Sequence, residues 1–209
     1  MSQLIACKNK NGIVLAADSK ALDVDASGTV TEHTVSRLIQ LADHTLILAG
    51  GAAAGVTMAR ALQGFLSGEK WDGVEAVYDA ALPFLASQYT EFMRKSCEVQ
   101  PLDPMHHVHF IIAGRSSADA SDPFKLYFLW TKKKLPQLAG EAIGNAFSVP
   151  RLIRLEYRLS QMAAGGADLD SLQKAALQGI QERIDTDDEN GGPVTHAAIT
   201  TAGVQLFET

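Results

Sequence analysis

Blocks of strand-like and helix-like sequence alternate along this chain, and their order restricts the fold more than any other feature of the sequence. Short β patterns come first, two amphipathic segments follow, further β pattern comes next, and two more helical segments precede a final hairpin. A β, α, β, α, β order favours sheets that pack face to face and are covered by helix pairs. We therefore expect an α+β fold, a four-layer αββα sandwich of two antiparallel sheets.

The helical segments are marked by apolar residues at helical spacing and by candidate caps. Asp72 and Asp168 each precede such a segment and are predicted to be N-caps. Pro83 falls inside the second segment, where it favours a kink. The predicted helices cover about 52–66, 73–95, 149–163 and 168–184.

The predicted strands are short and several are joined by tight turns. Asn11-Gly12 is a strong hairpin signal between the first two. Trp71 and Trp130 border predicted elements and are expected to be packing residues. The predicted strands cover 2–9, 12–18, 35–41, 44–49, 108–114, 125–130, 135–143, 194–201 and 204–207.

Length and composition indicate one domain that spans residues 1–209. The chain is 46% hydrophobic and 20% charged, which suits a globular protein with a sizeable core. A net charge of -6 gives no basic surface for nucleic acid. No apolar run of 18 residues and no signal-peptide pattern occur, so we expect a cytoplasmic protein without a membrane partner.

No metal site or cofactor is expected. His106, His107 and His109 are close in sequence, but 106 and 107 point to opposite faces of a strand. His107 and His109 share a face, which leaves a surface or inter-subunit site open. Cys7 and Cys97 form no CxxC pair and are predicted to be reduced.

Ser2 and Asp18 are the first candidates for chemistry. Ser2 follows the initiator Met1, and Asp18 ends the second predicted strand. If Met1 is removed, as we expect before a small second residue, Ser2 carries both a hydroxyl nucleophile and its own base, the free α-amino group. An α-amino group titrates near neutral pH, which suits proton acceptance there.

Several segments in order and spacing resemble the β-subunits of the proteasome and, more loosely, the bacterial HslV peptidase. Segments 12–19, 35–41 and 49–53 carry the resemblance most clearly, and 110–114 and 126–130 look like the family's middle strands. The resemblance covers most of the chain. It implies the fold of an N-terminal nucleophile hydrolase, a sandwich of two sheets between helix pairs.

The resemblance also implies roles for individual residues. Ser2 matches the nucleophile, and Asp18 matches an aspartate that orients a cation and helps to hold the terminal amine. Arg37 matches that cation, which is a lysine in the family; arginine keeps the charge and can pair with Asp18 through two hydrogen bonds, but it cannot relay a proton. Gly50 matches the residue whose backbone N–H forms the oxyanion hole, although a plain strand-to-helix break explains Gly50-Gly51 equally well.

The remaining family positions depart from the pattern. Asn145, after Gly144, matches a serine near the terminal amine, and so does Asn190 in the acidic turn that begins at Asp187. Asp187 itself matches, although an exposed turn explains the same run. By resemblance, three residues line an apolar substrate pocket: Ala21, Leu48 and Ala52.

The function expected from the resemblance is peptide hydrolysis in a self-compartmentalised ring. Its partners would be further copies of the chain in stacked rings, a peptide or unfolded protein as substrate, and an unfolding ATPase. The main alternative is a ring protein that has lost catalysis, because Arg37, Asn145 and Asn190 all depart from the family. An amidase that acts on a small molecule shares the chemistry without the ring.

Overall fold

The structure is a computed structural model that describes residues 2–24, 28–102 and 105–208. The described part contains four helices: α1 (Ala54–Leu66), α2 (Gly73–Lys95), α3 (Ile153–Ala164) and α4 (Leu169–Ile184). It also contains twelve strands: β1 (Leu4–Asn9), β2 (Gly12–Ala17), β3 (Lys20–Val24), β4 (Val30–Thr34), β5 (Leu38–Ala42), β6 (Thr45–Gly51), β7 (Val108–Arg115), β8 (Phe124–Thr131), β9 (Leu138–Ala142), β10 (Ala146–Val149), β11 (Thr195–Thr200) and β12 (Gly203–Glu208).

The strands form two five-stranded sheets and one small hairpin. Sheet I has the order β10-β1-β2-β11-β12, and sheet II has the order β5-β6-β7-β8-β9. Strands β3 and β4 pair only with each other. All pairs are antiparallel, which confirms a mixed α+β structure built on two antiparallel sheets.

Three apolar clusters hold these elements together in layers. Helices α1 and α2 pack on the outer face of sheet II, around residues such as Leu85 and Phe110; we call this apolar cluster the α1–α2 cluster. The inner faces of the sheets meet around Leu15, Leu48 and Ile111. Helices α3 and α4 pack on the outer face of sheet I. Both faces of β1 and β2 are covered, so these strands read as continuous apolar runs rather than as alternating ones.

One of the two predicted helix caps is confirmed. The Asp168 carboxylate accepts a hydrogen bond from the Ser171 N–H at 2.8 Å at the start of α4. The Asp72 prediction is wrong, because Asp72 occupies the N-cap position of α2 but its side chain makes no capping bond. Helix α2 continues through Pro83 to Lys95.

Two regions of the fold differ from the sequence prediction. The hairpin of β3 and β4 was not expected; every residue of β4 is exposed, so this strand carries no alternating apolar pattern. Strand β10 was not expected either; it ends at Val149, where the third helix was predicted to begin, and α3 starts only at Ile153. Pairing with β1 holds residues 146–149 as a strand despite the weak local signal.

The cysteines and tryptophans occupy different environments. Cys7 and Cys97 are both free thiols, and burial raises the pKa of Cys7 to about 12. Trp71 packs against the α1–α2 cluster and donates its indole N–H to the Leu66 carbonyl at 3.0 Å. Trp130 instead lies stacked on Phe128 at one end of sheet II.

The described residues contain neither a candidate transmembrane helix nor a candidate metal centre. None of the helices in that part is long and apolar enough to cross a membrane. Within the same residues, no group of three or more His, Cys, Asp or Glu side chains could hold a metal ion.

Candidate functional site

Polar residues converge at the end of the sandwich where β1 begins and β6 ends. Ser2 precedes β1, Asp18 follows β2, and Arg37 precedes β5. Their exposed fractions are 7%, 0% and 4%, so the whole group is removed from water. A buried polar cluster costs free energy unless its members are paired, and its hydrogen bonds therefore define what the site can do.

The Ser2 hydroxyl is held against the backbone at the end of β6. The Gly51 N–H donates a hydrogen bond to Ser2 Oγ at 3.0 Å. Gly50 makes room for that hydroxyl, because a Cβ at position 50 would lie 2.8 Å from Ser2 Oγ. Gly51 has φ +84°, and a Cβ there would lie 2.2 Å from the His107 carbonyl oxygen. The site requires both glycines.

The sequence prediction assigned the N–H donor to Gly50, but the donor to Ser2 Oγ is Gly51. The sequence alone does not show which of two consecutive glycines donates its N–H to Ser2. Gly51 has a left-handed backbone and donates its N–H to Ser2, and the close approach of the His107 carbonyl leaves no room for a side chain there.

The Asp18 carboxylate joins two segments that are far apart in the sequence. Its Oδ1 accepts the Gln3 N–H at 2.9 Å, and its Oδ2 accepts the Gly191 N–H at 3.3 Å. Gln3 was not identified from the sequence. Its side-chain amide donates to the Pro150 carbonyl at 3.2 Å and so connects the start of β1 to the turn before α3. Asp18 and Gln3 together fix the direction in which Ser2 projects.

Arg37 pairs with Asp18, but mostly through the backbone. Its Nε donates to the Asp18 carbonyl at 3.0 Å and lies 3.4 Å from Asp18 Oδ1. One terminal nitrogen donates to the Lys20 carbonyl. The expected pairing of guanidinium and carboxylate through two hydrogen bonds is therefore wrong, while the close approach of the two charges is present.

Burial dominates the electrostatics of this pair. It raises the pKa of Asp18, although Arg37 and the N–H groups of Gln3 and Gly191 act in the opposite direction. It also lowers the pKa of Arg37 against the attraction of Asp18. Both shifts disfavour the charged forms, so the pair costs the fold free energy. A guanidinium nevertheless stays protonated at neutral pH.

The turn at 187–192 borders this cluster. Asn190 is 4% exposed, and its neighbour Gly191 contacts Asp18. The Asn190 Oδ1 atom is buried and has no hydrogen-bond partner among the described residues. Asp187 instead accepts hydrogen bonds from the Arg183 side chain and from the Glu189 N–H. The structure thus brings Asn190 to the edge of the site and directs Asp187 toward α4.

Asn145 is not part of the site, and that prediction is wrong. Strand β10 runs antiparallel to β1, and the Asn145 carbonyl accepts the Lys8 N–H at 2.8 Å. Lys8 is six residues from Ser2, and an extended strand rises about 3.4 Å per residue, so Asn145 lies about 20 Å from the hydroxyl. The turn that reaches the start of β1 contains Pro150.

The predicted substrate pocket is also not formed as expected. Leu48 is fully buried between the sheets and cannot contact a substrate there. Ala52 packs against the α1–α2 cluster, and its N–H donates to the His107 carbonyl at 2.8 Å. Ala21 is half-buried in β3, where it pairs with His33.

Comparison with known proteins identifies no relative of this chain among protein families or curated proteins. No family model matches the chain, and no curated protein matches it in a sequence search. The arrangement itself joins a hydroxyl that accepts a backbone N–H to a buried acid and a buried cation. Such a constellation is suited to nucleophilic attack on a carbonyl, with a hydrogen-bond donor ready for the charge that develops.

Proposed function

We propose that this protein is an N-terminal nucleophile hydrolase that cleaves peptide bonds, with the proteasome-like fold of that superfamily. Ser2 is its nucleophile once Met1, which lies outside the described residues, has been removed. The observation that carries the proposal is the 3.0 Å hydrogen bond from the Gly51 N–H to Ser2 Oγ, beside the buried pair of Asp18 and Arg37.

The reaction follows from these positions. Ser2 Oγ attacks the scissile carbonyl carbon, and the free α-amine of Ser2 takes the hydroxyl proton. The carbonyl oxygen becomes an oxyanion next to Oγ, where the Gly51 N–H can donate a hydrogen bond to it. Collapse breaks the C–N bond, the leaving amine takes the proton from the α-ammonium group, and a serine ester remains. Water, deprotonated by the same amine, then hydrolyses the ester.

Asp18 and Arg37 act by position and charge in this mechanism. Asp18 holds the Gln3 N–H and thereby the backbone that carries Ser2. Arg37 supplies a permanent positive charge, which favours the unprotonated α-amine and the ionised Asp18. It does not relay protons, because a guanidinium is not deprotonated in proteins.

The assembly belongs to the same proposal. Copies of the chain form stacked rings in the cytoplasm, take up peptides or unfolded proteins, and receive them from an unfolding ATPase. Its support is the resemblance of 12–19, 35–41 and 49–53 to proteasome β-subunits.

A second candidate is a ring protein without catalysis, and one observation favours it. The Arg37 guanidinium donates to the carbonyls of Asp18 and Lys20, and Asp187 pairs with Arg183. These polar groups are engaged in holding backbone segments and turns together. In this alternative the cluster at Ser2 is a structural remnant.

Intact-mass spectrometry of the native protein, followed by reaction with a β-lactone probe, separates the candidates. Hydrolase function predicts loss of Met1 and a single adduct that Ser2→Ala removes. Ser2→Thr is the matched control, since it keeps the hydroxyl and should keep the adduct. Retention of Met1 together with an unmodified Ser2 would rule out the enzyme.

A further inference from the structure

A row of residues crosses sheet II directly beside the nucleophile. The antiparallel register pairs Gly50 with His109, His109 with Trp130, and Trp130 with Ala139. Residues in register point to the same face, and adjacent strands are about 4.8 Å apart. Ser2 Oγ lies 2.8 Å from the Cβ position of Gly50, so it sits over one end of the row. Trp130 is therefore about 10 Å from the nucleophile on the same face.

The row continues into a stack of aromatic rings. The rings of Phe128 and Trp130 have centroids 5.2 Å apart and an interplanar angle of 9°, and His109 stacks on Phe128 at 6.1 Å. Phe147, from β10 of the other sheet, lies 4.6 Å from Phe128. The Arg151 guanidinium covers Phe147 at 4.5 Å. We call His109, Phe128, Trp130 and Phe147 the aromatic wall.

The aromatic wall is only partly covered. His109, Phe128 and Trp130 are half-buried, whereas Leu129 and Thr131 on the same strand are buried. All three half-buried rings lie on the face of sheet II that turns toward sheet I. The three rings therefore keep part of their surface accessible, on the same face of sheet II as Gly50 and Ser2.

We propose that the aromatic wall is a substrate subsite for an aromatic or large apolar side chain of the peptide. An extended peptide advances about 3.3 Å per residue, so a distance of about 10 Å, shortened by the length of a side chain, corresponds to a position one or two residues from the scissile bond. Flat stacked rings favour aromatic partners beyond simple area burial. This inference rests on the proposed function and assigns specificity to residues other than Ala21, Leu48 and Ala52.

Binding without turnover tests the subsite directly. The chain has two tryptophans, so Trp71→Phe makes Trp130 the only indole. In a Ser2→Ala Trp71→Phe protein, we would titrate acetyl-Ala-Ala-Phe-Ala-amide and the all-alanine tetrapeptide against tryptophan emission. The expected result is a change in Trp130 emission and about tenfold tighter binding of the phenylalanine peptide. Equal affinities, or an unchanged emission on saturation, would overturn the subsite.

A kinetic comparison uses variants that preserve packing. Trp130→Leu keeps an apolar side chain, and the preference in kcat/KM for phenylalanine over alanine peptides should fall to within about twofold. Phe65→Leu is the matched control, because Phe65 is exposed on α1 and stacks with Phe84 away from the wall. It should leave the preference unchanged. An undiminished preference in Trp130→Leu contradicts the subsite.

The two proposals fail in different ways. If Ser2 never reacts but the titration retains its preference, the hydrolase proposal fails and the subsite stands as a peptide-binding surface. If Ser2 reacts and Trp130→Leu keeps the wild-type preference, only the subsite fails.

Discussion

Two buried carboxylates in this protein lie beside an arginine, yet their environments shift their pKa values in opposite directions. Glu156, in the first turn of α3, accepts hydrogen bonds from Ser148 Oγ at 2.6 Å and from Arg151 Nε at 2.7 Å. Burial alone would raise the pKa of Glu156, but the bonds from Arg151 and Ser148 outweigh it and hold that pKa below the ordinary value. For Asp18, burial prevails and the pKa is raised.

The difference lies in how the two arginines are used. Arg151 gives its N–H groups to the carboxylate and keeps 54% of its side chain exposed, so the guanidinium itself loses little of its hydration. The Arg37 side chain is only 5% exposed and gives its hydrogen bonds to the Asp18 and Lys20 carbonyls. The Glu156 pair stabilises the start of a helix. The Asp18 pair costs free energy and lies next to the candidate nucleophile, which is the pattern expected of a functional site.

The largest effect on the free energy of unfolding should come from removing only one charge of the Asp18–Arg37 pair. Arg37→Met leaves Asp18 buried without its counter-charge and should lower the free energy of unfolding by about 3–5 kcal/mol, measured by urea denaturation. The double variant Asp18→Asn Arg37→Met removes both charges and should recover much of that loss. A double variant as unstable as the single one would show that the two charges are not coupled.

Gly50→Ala should affect activity more than stability. The added Cβ would lie 2.8 Å from Ser2 Oγ and 2.9 Å from Leu4 Cδ1, so the hydroxyl must move away from the Gly51 N–H. We expect kcat/KM for a peptide substrate to fall about a hundredfold, equivalent to about 2.7 kcal/mol. Gly64→Ala is a suitable control, since a Cβ at position 64 meets no atom within 4 Å. Unaltered activity in Gly50→Ala would contradict the site geometry.

Glu156→Gln should remove a stabilising charge, and its effect should depend on pH. At pH 7 we expect the free energy of unfolding to fall by about 2 kcal/mol, because charge-assisted hydrogen bonds are lost from a buried group. The folded-state pKa is lowered, so this stability is present above the ordinary glutamate value of 4.5 and is lost as the pH falls through the folded pKa. The difference from wild type should therefore shrink in acid denaturation series. A difference that stays constant down to pH 3 would contradict the charge-based explanation.

His196 provides the smallest test, because it is a buried ionisable group whose Nδ1 atom has no hydrogen-bond partner among the described residues. Burial lowers its pKa from 6.5, and its ring stacks on Phe207 at 5.0 Å. The folded state resists protonation, so the free energy of unfolding should decline as the pH falls below 6.5. His196→Leu should flatten that decline by less than about 1 kcal/mol, measured by thermal melts between pH 7 and 5. An equally steep decline in the variant would assign it to other groups.

The sequence identified the parts of the fold that carry strong patterns. Long apolar periodicity located α1, α2 and α4, and Asp168 marked the start of α4. Strand β4 was missed because all of its residues are exposed, so it lacks an alternating apolar pattern, and β3 was missed with it because β3 pairs only with β4. Strand β10 was missed because its conformation depends on pairing with β1, which local sequence does not encode.

The positions of the site residues could be predicted where they adjoin strands with a clear apolar pattern. The prediction failed for residues whose position depends on how two strands are paired. Ser2, Asp18 and Arg37 lie close together as expected, since each adjoins a strand whose residues are mostly buried. Asn145 was misplaced because its position relative to Ser2 depends on the direction of β10 against β1. Leu48 was misassigned because the face it occupies follows from the two-residue period of β6, which buries it between the sheets.

The strand order of sheet I sets when the site can form as the chain folds. Strand β2 pairs with β11, which follows it by some 180 residues, and the Gly191 N–H completes the bonds of Asp18 across a separation of 173 residues. Contacts between such distant segments form slowly, because the intervening chain must be ordered first. A growing polypeptide that has not yet produced residues 190–200 cannot assemble this cluster. The Ser2 site should therefore appear late in folding, only after residues 190–200 have been synthesised.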